Sequence, residues 1–348
     1  MPETRALALS ICIATFRRAD FIAETLASIA AQLEDGMEVV IVDGASPDAT
    51  EAAVAPFVAR YPAFRFIREP INSGVDADYD KAVGYARGDH VWLMTDDDLL
   101  LPGAVAAVLA AIADAPDLVV VDAVVKDARL ERVIEARRLG FSGIRTYGPG
   151  DSDALLADVG NAMSFIGGTI FRRAFWMERD RRAFYGSLFI HVGVAFQAPH
   201  PAHAVAIGSP LIAIRFGNAM WSARALEIWM LMWPRLIWSL PGYSDAAKAA
   251  VCAREPWRDW RLAVIQRASG ALSLAEWRRW FAKVPLAPRL RLLAIALVPG
   301  RSLNTLTVRY LARRRGTWTP DLYTLVHASR FSGPRSRAIA ADLTSAAS

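Results

Sequence analysis

The 348-residue sequence has only two cysteines, Cys12 and Cys252, far apart and in apolar or helix-like surroundings. Such a pair supports neither a disulfide framework nor a thiolate metal site, and it fits a reducing compartment. No apolar run reaches the roughly 20 residues that a membrane-spanning helix needs. The best candidate, LRLLAIALVP from Leu290 to Pro299, is about half that length. The short apolar stretch Ala6–Ala14 runs into TFRRAD with no convincing cleavage site, so it reads as a first strand and not as a secretory leader. Also missing are a Walker A motif and a G-x-G-x-x-G after the first strand, which removes support from ordinary nucleotide hydrolases and dinucleotide enzymes.

What is present is a chain that is 54% hydrophobic, enough for a sizeable core and incompatible with disorder. The formal charge of +5 is modest but uneven. Between Arg254 and Arg315 fourteen Arg or Lys residues stand against Glu255, Asp259 and Glu276, so the C-terminal third carries the positive field.

The first 125 residues alternate regularly. LALSICIAT reads as a strand, followed by a helix with Asp20 as N-cap and Ile22, Leu26, Ile29 and Ala30 on one face. MEVVIVDG reads as a second strand, with Ser46 as N-cap and Pro47 opening the next helix. FRFIRE, HVWLM and DLVVVDAVV give three more strands, with helices over Asp78–Ala86 and LPGAVAAVLAAIA between them. This order predicts an α/β fold with a mostly parallel sheet covered on both faces. Ligands bind such sheets outside the carboxyl ends of the strands. Thr15 and Arg17 after strand one, Asp43 at the end of strand two, Asn72 to Asp80 after strand three and Asp96 to Asp98 after strand four should therefore share one rim.

HVWLMTDDDLLLPG, from His90 to Gly103, states the problem of that rim most sharply: an apolar strand ends in three consecutive carboxylates. Adjacent carboxylates repel, and a cation that neutralises them removes the cost. Hard oxygen donors in a short cluster suit Mg or Mn, which usually bind through one or two carboxylates together with substrate phosphates. A solvated acidic turn capping the next helix is the structural alternative. Asp43 divides similarly between starting the turn DGASPD and accepting a hydrogen bond from a nucleobase or ribose.

IATFRR, IVDGASPDAT, NSG at Asn72–Gly74 and TDDD follow one another over roughly 110 residues, and in order and spacing they resemble the signature of family 2 glycosyltransferases of the GT-A fold. That signature runs from P-T-Y-N-R through V-D-D-x-S-x-D-x-T and N-x-G to D-x-D-D. The resemblance implies transfer of a sugar from a nucleoside diphosphate sugar to an acceptor hydroxyl, normally with inversion. It puts Asp43 at the nucleobase and Mg or Mn on Asp97 and Asp98, with Thr15, Arg17, Asn72, Lys81 and Asp96 around the donor. The usual first metal Asp is Thr95 here, and the family's Arg-Asn pair is replaced by Tyr79 and Asp80. GVDADYDKAV with LMTDDDLL resembles a branch of abequosyltransferases and other O-antigen or capsule sugar transferases, and Asp76 becomes the substitute donor contact. The family's acidic base is replaced by FIHVGV, which leaves His191 in its place, and Arg215 in IRFGNAMW falls where a basic, Trp-containing loop covers the diphosphate.

Nine of the eleven Trp lie between Trp221 and Trp318, interleaved with Arg. That third reads either as an interfacial membrane surface or as a helical subdomain packing its Trp inward. Nucleic-acid binding leaves the Asp cluster unexplained and is not expected. The expected organisation is a GT-A domain over 1–220, divided at 125 into donor and acceptor halves, a helical extension over 221–330 and a flexible tail over 331–348. The expected function is metal-dependent glycosyl transfer to a glycan or polyprenyl-linked oligosaccharide in surface polysaccharide synthesis, in the cytoplasm and peripheral on the inner face of the membrane. A noncatalytic GT-A scaffold and a sugar-phosphate nucleotidyltransferase are the alternatives, the latter without its usual Gly-rich basic loop.

Overall fold

The computed structural model describes residues 7–218, 224–341 and 343. Its strands are β1 (Leu9–Thr15), β2 (Met37–Asp43), β3 (Phe64–Arg68), β4 (His90–Met94), β5 (Leu99–Leu100), β6 (Leu118–Lys126), β7 (Val133–Glu135), β8 (Ile144–Tyr147), β9 (Thr169–Arg172) and β10 (Ala204–Arg215). They form one ten-stranded sheet in the order β3-β2-β1-β4-β9-β6-β10-β5, with β7 on β6 and β8 on β10.

β1 to β4 pair in parallel, as the alternating pattern predicts. All seven residues of β2 and all five of β4 are buried, the continuous apolar run of strands covered on both faces. β3 is half exposed because it is an edge strand. The irregular middle of the sequence hides one insertion: β9 runs antiparallel between β4 and β6. Gly168 makes that possible, since a Cβ there would sit 2.9 Å from the Val121 carbonyl oxygen. Trp92 locks the insertion by donating its Nε1–H to the Gly167 carbonyl at 2.8 Å.

The first helices are α1 (Ile22–Ala30), α2 (Thr50–Arg60), α3 (Val75–Tyr85), α4 (Ala104–Ala111), α5 (Ser152–Val159), α6 (Arg173–Met177) and α7 (Ile190–Phe196). The two expected N-caps are displaced. α1 starts after Phe21, and α2 starts after Ala49 because Ser46 and Asp48 are used in the turn ahead of it. The remaining helices are α8 (Ala225–Glu227), α9 (Trp233–Ser239), α10 (Asp245–Val251), α11 (Trp260–Ser269), α12 (Leu274–Trp280), α13 (Leu286–Leu297), α14 (Gly300–Arg315), α15 (Pro320–Tyr323) and α16 (Pro334–Ala340).

The chain forms two compact units, and neither is continuous in sequence. The first holds residues to Val124, Arg137–Ile214 and Leu240–Val251; the second holds Val125–Ala136, Arg215–Ser239 and the chain from Cys252. The expected boundary at 220 thus lies close to one crossing at Ile214, while the excursions at 125–136 and 240–251 have no local sequence signal. In the first unit Leu240–Val251 contributes α10, which packs on α5, where a Cβ on Gly160 would fall 2.5 Å from a Val251 methyl carbon.

The second unit has its own core of Leu226, Met230, Trp257, Leu272, Phe281, Leu292 and Ala296. Asp259 and Ser273 cap α11 and α12 through hydrogen bonds from Arg261 N and Glu276 N. Fully buried Asn304 on α14 donates to the carbonyls of Ala268 and Leu325 and accepts from the Ser336 hydroxyl at 2.6 Å. Ser336 belongs to α16, so the described part of the expected flexible tail is a docked helix.

Candidate active site

The carboxyl ends of β1, β2 and β4 lie side by side, and the sequence puts a polar group on each. Thr15 is directly opposite Asp43 in the β1–β2 register. Asp43 is fully buried and engaged three ways: both oxygens accept from Ser46 N at 3.2 and 3.1 Å, and Oδ2 meets Arg68 Nη1 at 3.1 Å. Arg68 also donates to the Ser46 carbonyl at 2.7 Å, closing the turn that Asp43 opens. Ala45 there adopts φ +59°, a left-handed conformation that costs a non-glycine residue of order 1 kcal/mol and persists only where its surroundings enforce it.

The turn after β1 is tied to the turn after β2. Arg17, at φ +58°, donates its backbone N–H to Ser46 Oγ at 2.9 Å, and Arg18 N donates to Thr50 Oγ1 at 3.0 Å. These bonds fix where Arg18 points. Its Nε lies 3.2 Å from Asp96 Oδ1 and its Nη2 3.3 Å from Asp97 Oδ2, with all three side chains nearly buried. Asp98 accepts a hydrogen bond from Thr95 Oγ1. Burial, and then the Asp97 charge, push the Asp96 carboxyl up to about 7, with Arg18 opposing the shift. The rim is therefore a strongly electronegative corner with a guanidinium drawn into it.

A second polar group lies on α3. Gly44 leaves space for it, because a Cβ there would fall 2.9 Å from Asp78 Oδ2 and 3.5 Å from Asn72 Cγ. Asn72 accepts from Gly74 N at 2.8 Å and shapes the loop into α3. Lys81 Nζ bonds Glu69 and Ser73, each at 2.7 Å, and lies 3.6 Å from Asp78 Oδ1. Burial raises the Asp78 carboxyl above its usual range, while Lys81 pulls it back.

The donor set tests whether a divalent cation fits. Among the described residues no group of three or more His, Cys, Asp or Glu converges as a ready-made ligand cage. Two neighbouring carboxylates, Asp97 and Asp98, are nonetheless the donor type and number through which Mg is usually held beside substrate phosphates. The corner fits such an ion in kind, and Arg18 is the positive group now at Asp96 and Asp97.

Residues 10–178 match glycosyl transferase family 2. They belong to that family. An uncharacterized protein of Mycobacterium tuberculosis (strain H37Rv) is 38% identical over 92 residues, 26% of this chain and 27% of its own length. The chain thus spans about a quarter of the mycobacterial relatives it matches. The abequosyltransferase RfbV of Salmonella typhimurium is 26% identical over 227 residues, 60% of this chain and 67% of its own. Among solved structures, residues 1–349 of TarS from S. aureus superpose with a TM-score of 0.57 at 16% identity, covering 91% of this chain and 89% of that one. The same TarS segment in complex with UDP superposes equally well, covering 95% and 90%. The GT-A fold expected from the motifs is the fold of this chain.

The structure places Asp76, His191 and Arg215, the remaining expected residues, away from solvent. Asp76 is 3% exposed, and its oxygens accept the backbone N–H groups of Leu188 at 2.9 Å and Ile190 at 3.1 Å. Its carboxylate, expected at the donor, holds instead the turn ahead of α7, where Leu188 has φ +68°. Burial raises the Asp76 carboxyl, and the N–H groups moderate the shift. His191, in the first turn of α7, is 1% exposed and donates Nε2–H to the Met163 carbonyl at 2.7 Å. That bond fixes the tautomer, leaving Nδ1 as a buried lone pair without a hydrogen-bond partner. Burial lowers the imidazole to about 4. Arg215 lies in the second unit, 8% exposed, donating to the Ala128 carbonyl at 2.9 Å. Trp221, at the end of the same IRFGNAMW segment, lies outside the described residues.

One residue escaped the sequence reading. Arg18 was passed over for Arg17, although an Arg one place further along a tight turn points to the opposite side. Asp80 stands where the family keeps Asn, and it ties the segment after β9: Trp176 Nε1 donates at 2.9 Å, Arg181 Nε lies at 2.7 Å and the Tyr185 hydroxyl donates at 2.5 Å. Beside it Tyr79 donates to the Met94 carbonyl at 3.0 Å, directly behind the Asp cluster. The Tyr-Asp pair that replaces Arg-Asn is thus part of the framework supporting the corner.

Proposed function

We propose that this chain transfers a sugar from a nucleoside diphosphate sugar to a hydroxyl of a glycan or polyprenyl-linked oligosaccharide during synthesis of a surface polysaccharide, with inversion at the anomeric carbon. The observation that carries the reading is the corner itself, where the Asp96–Asp98 cluster, Arg18 and the Asp43 turn share the carboxyl ends of adjacent parallel strands. Support comes from the TarS structures with UDP and UDP-GlcNAc, and from the abequosyltransferase relative.

In this reading the Asp43 turn faces the nucleoside, and the Asn72–Gly74 loop with Lys81 borders the donor. Asp97 and Asp98 would hold Mg or Mn, which when bound supplies positive charge to the diphosphate leaving group. Arg18 then has two acceptors to choose between, the carboxylates and the diphosphate, and its bidentate guanidinium suits either. His191 has a free Nδ1 and is neutral at pH 7, the form that can take the proton of the attacking hydroxyl. Its burial means that a substrate reaches it only if the residues around it move. The lipid-linked acceptor would bring the protein to the inner face of a membrane.

Isothermal titration with UDP, GDP, CDP and dTDP, each with and without Mn, tests the reading. The expected result is metal-dependent binding of one nucleotide, weakened at least about a hundredfold in Asp97→Ala. Failure of a folded protein to bind any of the four would favour the noncatalytic scaffold.

A further inference from the structure

We propose that α13 and α14 form a docking face for a bilayer carrying anionic lipid. The inference deepens the lipid-linked acceptor named above, and it rests on that reading only for its biological purpose. Its physical basis is independent.

Residues 277–320 contain ten Arg or Lys and no Asp or Glu. Surface helices of globular domains normally mix the two signs, which gives i,i+4 pairs and solubility. Here the missing acids leave a cationic segment with no internal counter-charge. The same segment exposes large apolar side chains: Leu286 is 68% exposed, Leu290 52%, Leu297 60%, Leu306 59% and Tyr310 55%. Such exposure is unusual for several leucines on consecutive helices.

The leucines are ordered by helical geometry. On α13 they stand 4 and 11 residues apart, which at 3.6 residues per turn puts them on one stripe, about 40° wide. Leu292 and Ala296, on the other face, are 2% exposed and belong to the core of the second unit. α13 is therefore apolar on both sides, with only the inner one covered by its own unit. Val298 and Pro299 connect it directly to α14, and both are exposed. On α14 Leu306 and Tyr310 are one turn apart on the exposed side, while Asn304, Val308 and Ala312 face inward. Arg309, Arg313 and Arg314 flank them around an open depression of about 360 Å³. An aromatic and a leucine beside guanidinium groups is the composition that sits at headgroup depth, with the apolar part down and the cations on phosphate.

Length excludes the alternative of crossing. α13 has twelve residues, about 18 Å, against a hydrocarbon core of about 30 Å. No helix among the described residues is long and apolar enough to span. On the α13–α14 face the exposed apolar groups are leucines and a tyrosine, and the tryptophans packed nearby are not part of it. Trp238, Trp277 and Trp280 have their N–H groups satisfied by Cys252 O, Arg289 O and Glu276, and Trp257 is in the core, so these rings are internal supports.

The test is co-sedimentation of the full chain with phosphatidylcholine vesicles containing about a quarter phosphatidylglycerol, and with pure phosphatidylcholine vesicles, at low and high salt. The proposal expects binding to the anionic vesicles that weakens with salt. Arg309→Gln/Arg313→Gln/Arg314→Gln should lower the partition coefficient about a hundredfold on anionic vesicles, and Leu290→Glu/Leu297→Glu at least about tenfold. Because these side chains are exposed, unchanged thermal melting checks that the variants fold. Absence of vesicle binding by the wild type, or equal binding by the variants, overturns the proposal. So does a concentration-dependent dimer that the leucine variants abolish, since the stripe would then belong to a second copy. Nucleotide titration of the same variants separates the two ideas: intact nucleotide binding without vesicle binding removes the docking face and leaves the transferase reading standing.

Discussion

The Asp corner of the first unit and the α13–α14 face of the second use charge in opposite ways. In the corner, Asp43, Asp96, Asp97 and Asp98 are all less than a tenth exposed, and each has a fixed protein partner. Along α13 and α14 every arginine except half-buried Arg289 is exposed, and no acid within the segment answers them. A buried charge gains or loses several kcal/mol with its partner, whereas an exposed one gains little from the fold and stays available for something outside. In the proposed reading, that difference separates a region for stability and chemistry from a region for adhesion.

The comparison is sharpest at Arg18. Arg18→Gln leaves two nearly buried carboxylates, Asp96 and Asp97, without their guanidinium, and about 3 kcal/mol of stability should be lost in EDTA by urea titration. Mn should restore most of it and bind at least about tenfold more tightly than to wild type without nucleotide, because ion and guanidinium want the same oxygens. If Mn binds both proteins equally, Arg18 does not guard the metal position.

Acid should act on the first unit through His191. Its folded value of about 4 is below the ordinary 6.5, so the unfolded chain binds the proton more readily. The contribution is intact above about 6.5, declines as pH falls towards 4 and is then lost, a total of about 3 kcal/mol. His191→Gln, which keeps a donor for the Met163 carbonyl, should flatten that part of the stability profile. An unchanged profile would mean that His191 takes up its proton in the folded protein at the same pH as in the unfolded chain.

Asp76→Ala orphans two backbone N–H groups, with an expected cost of about 2 kcal/mol by denaturant titration. Hydrogen exchange at residues 186–190 should rise more than elsewhere, because that turn is what the carboxylate holds. The smallest effect is expected in the second unit. Arg289→Gln loses a cation over the Trp277 ring, 5.0 Å from its centroid, and stability should change by less than about 0.5 kcal/mol. A large loss there would erase the distinction between the two regions.

The regular strands and the rim were legible because both signals are local. Apolar runs of five to seven residues leading to Asp43 and Asp96 carry their own periodicity, and the rule that ligands sit at strand ends then puts the acids together. The partners of those acids were not legible. Arg18 reaches Asp96 across 78 residues, and Asp76 reaches Ile190 across 114, so no window of sequence contains both members. The expected donor role of Asp76 followed from its place in a motif, whereas its burial against backbone is a property of how α3 meets the turn before α7.

By itself the sequence determined the alternation of strands and helices, the order of the family 2 motifs, and a C-terminal stretch of cations without acids. Those properties depend on residue type and spacing along the chain. Tertiary structure alone decided that β9 enters the sheet antiparallel, that Leu240–Val251 returns to the first unit, that Arg18 faces the carboxylates, and that Leu286, Leu290 and Leu297 form the exposed stripe of α13. Each of these depends on which of two chemically acceptable faces or partners ends up buried, and burial is fixed only when distant segments pack together.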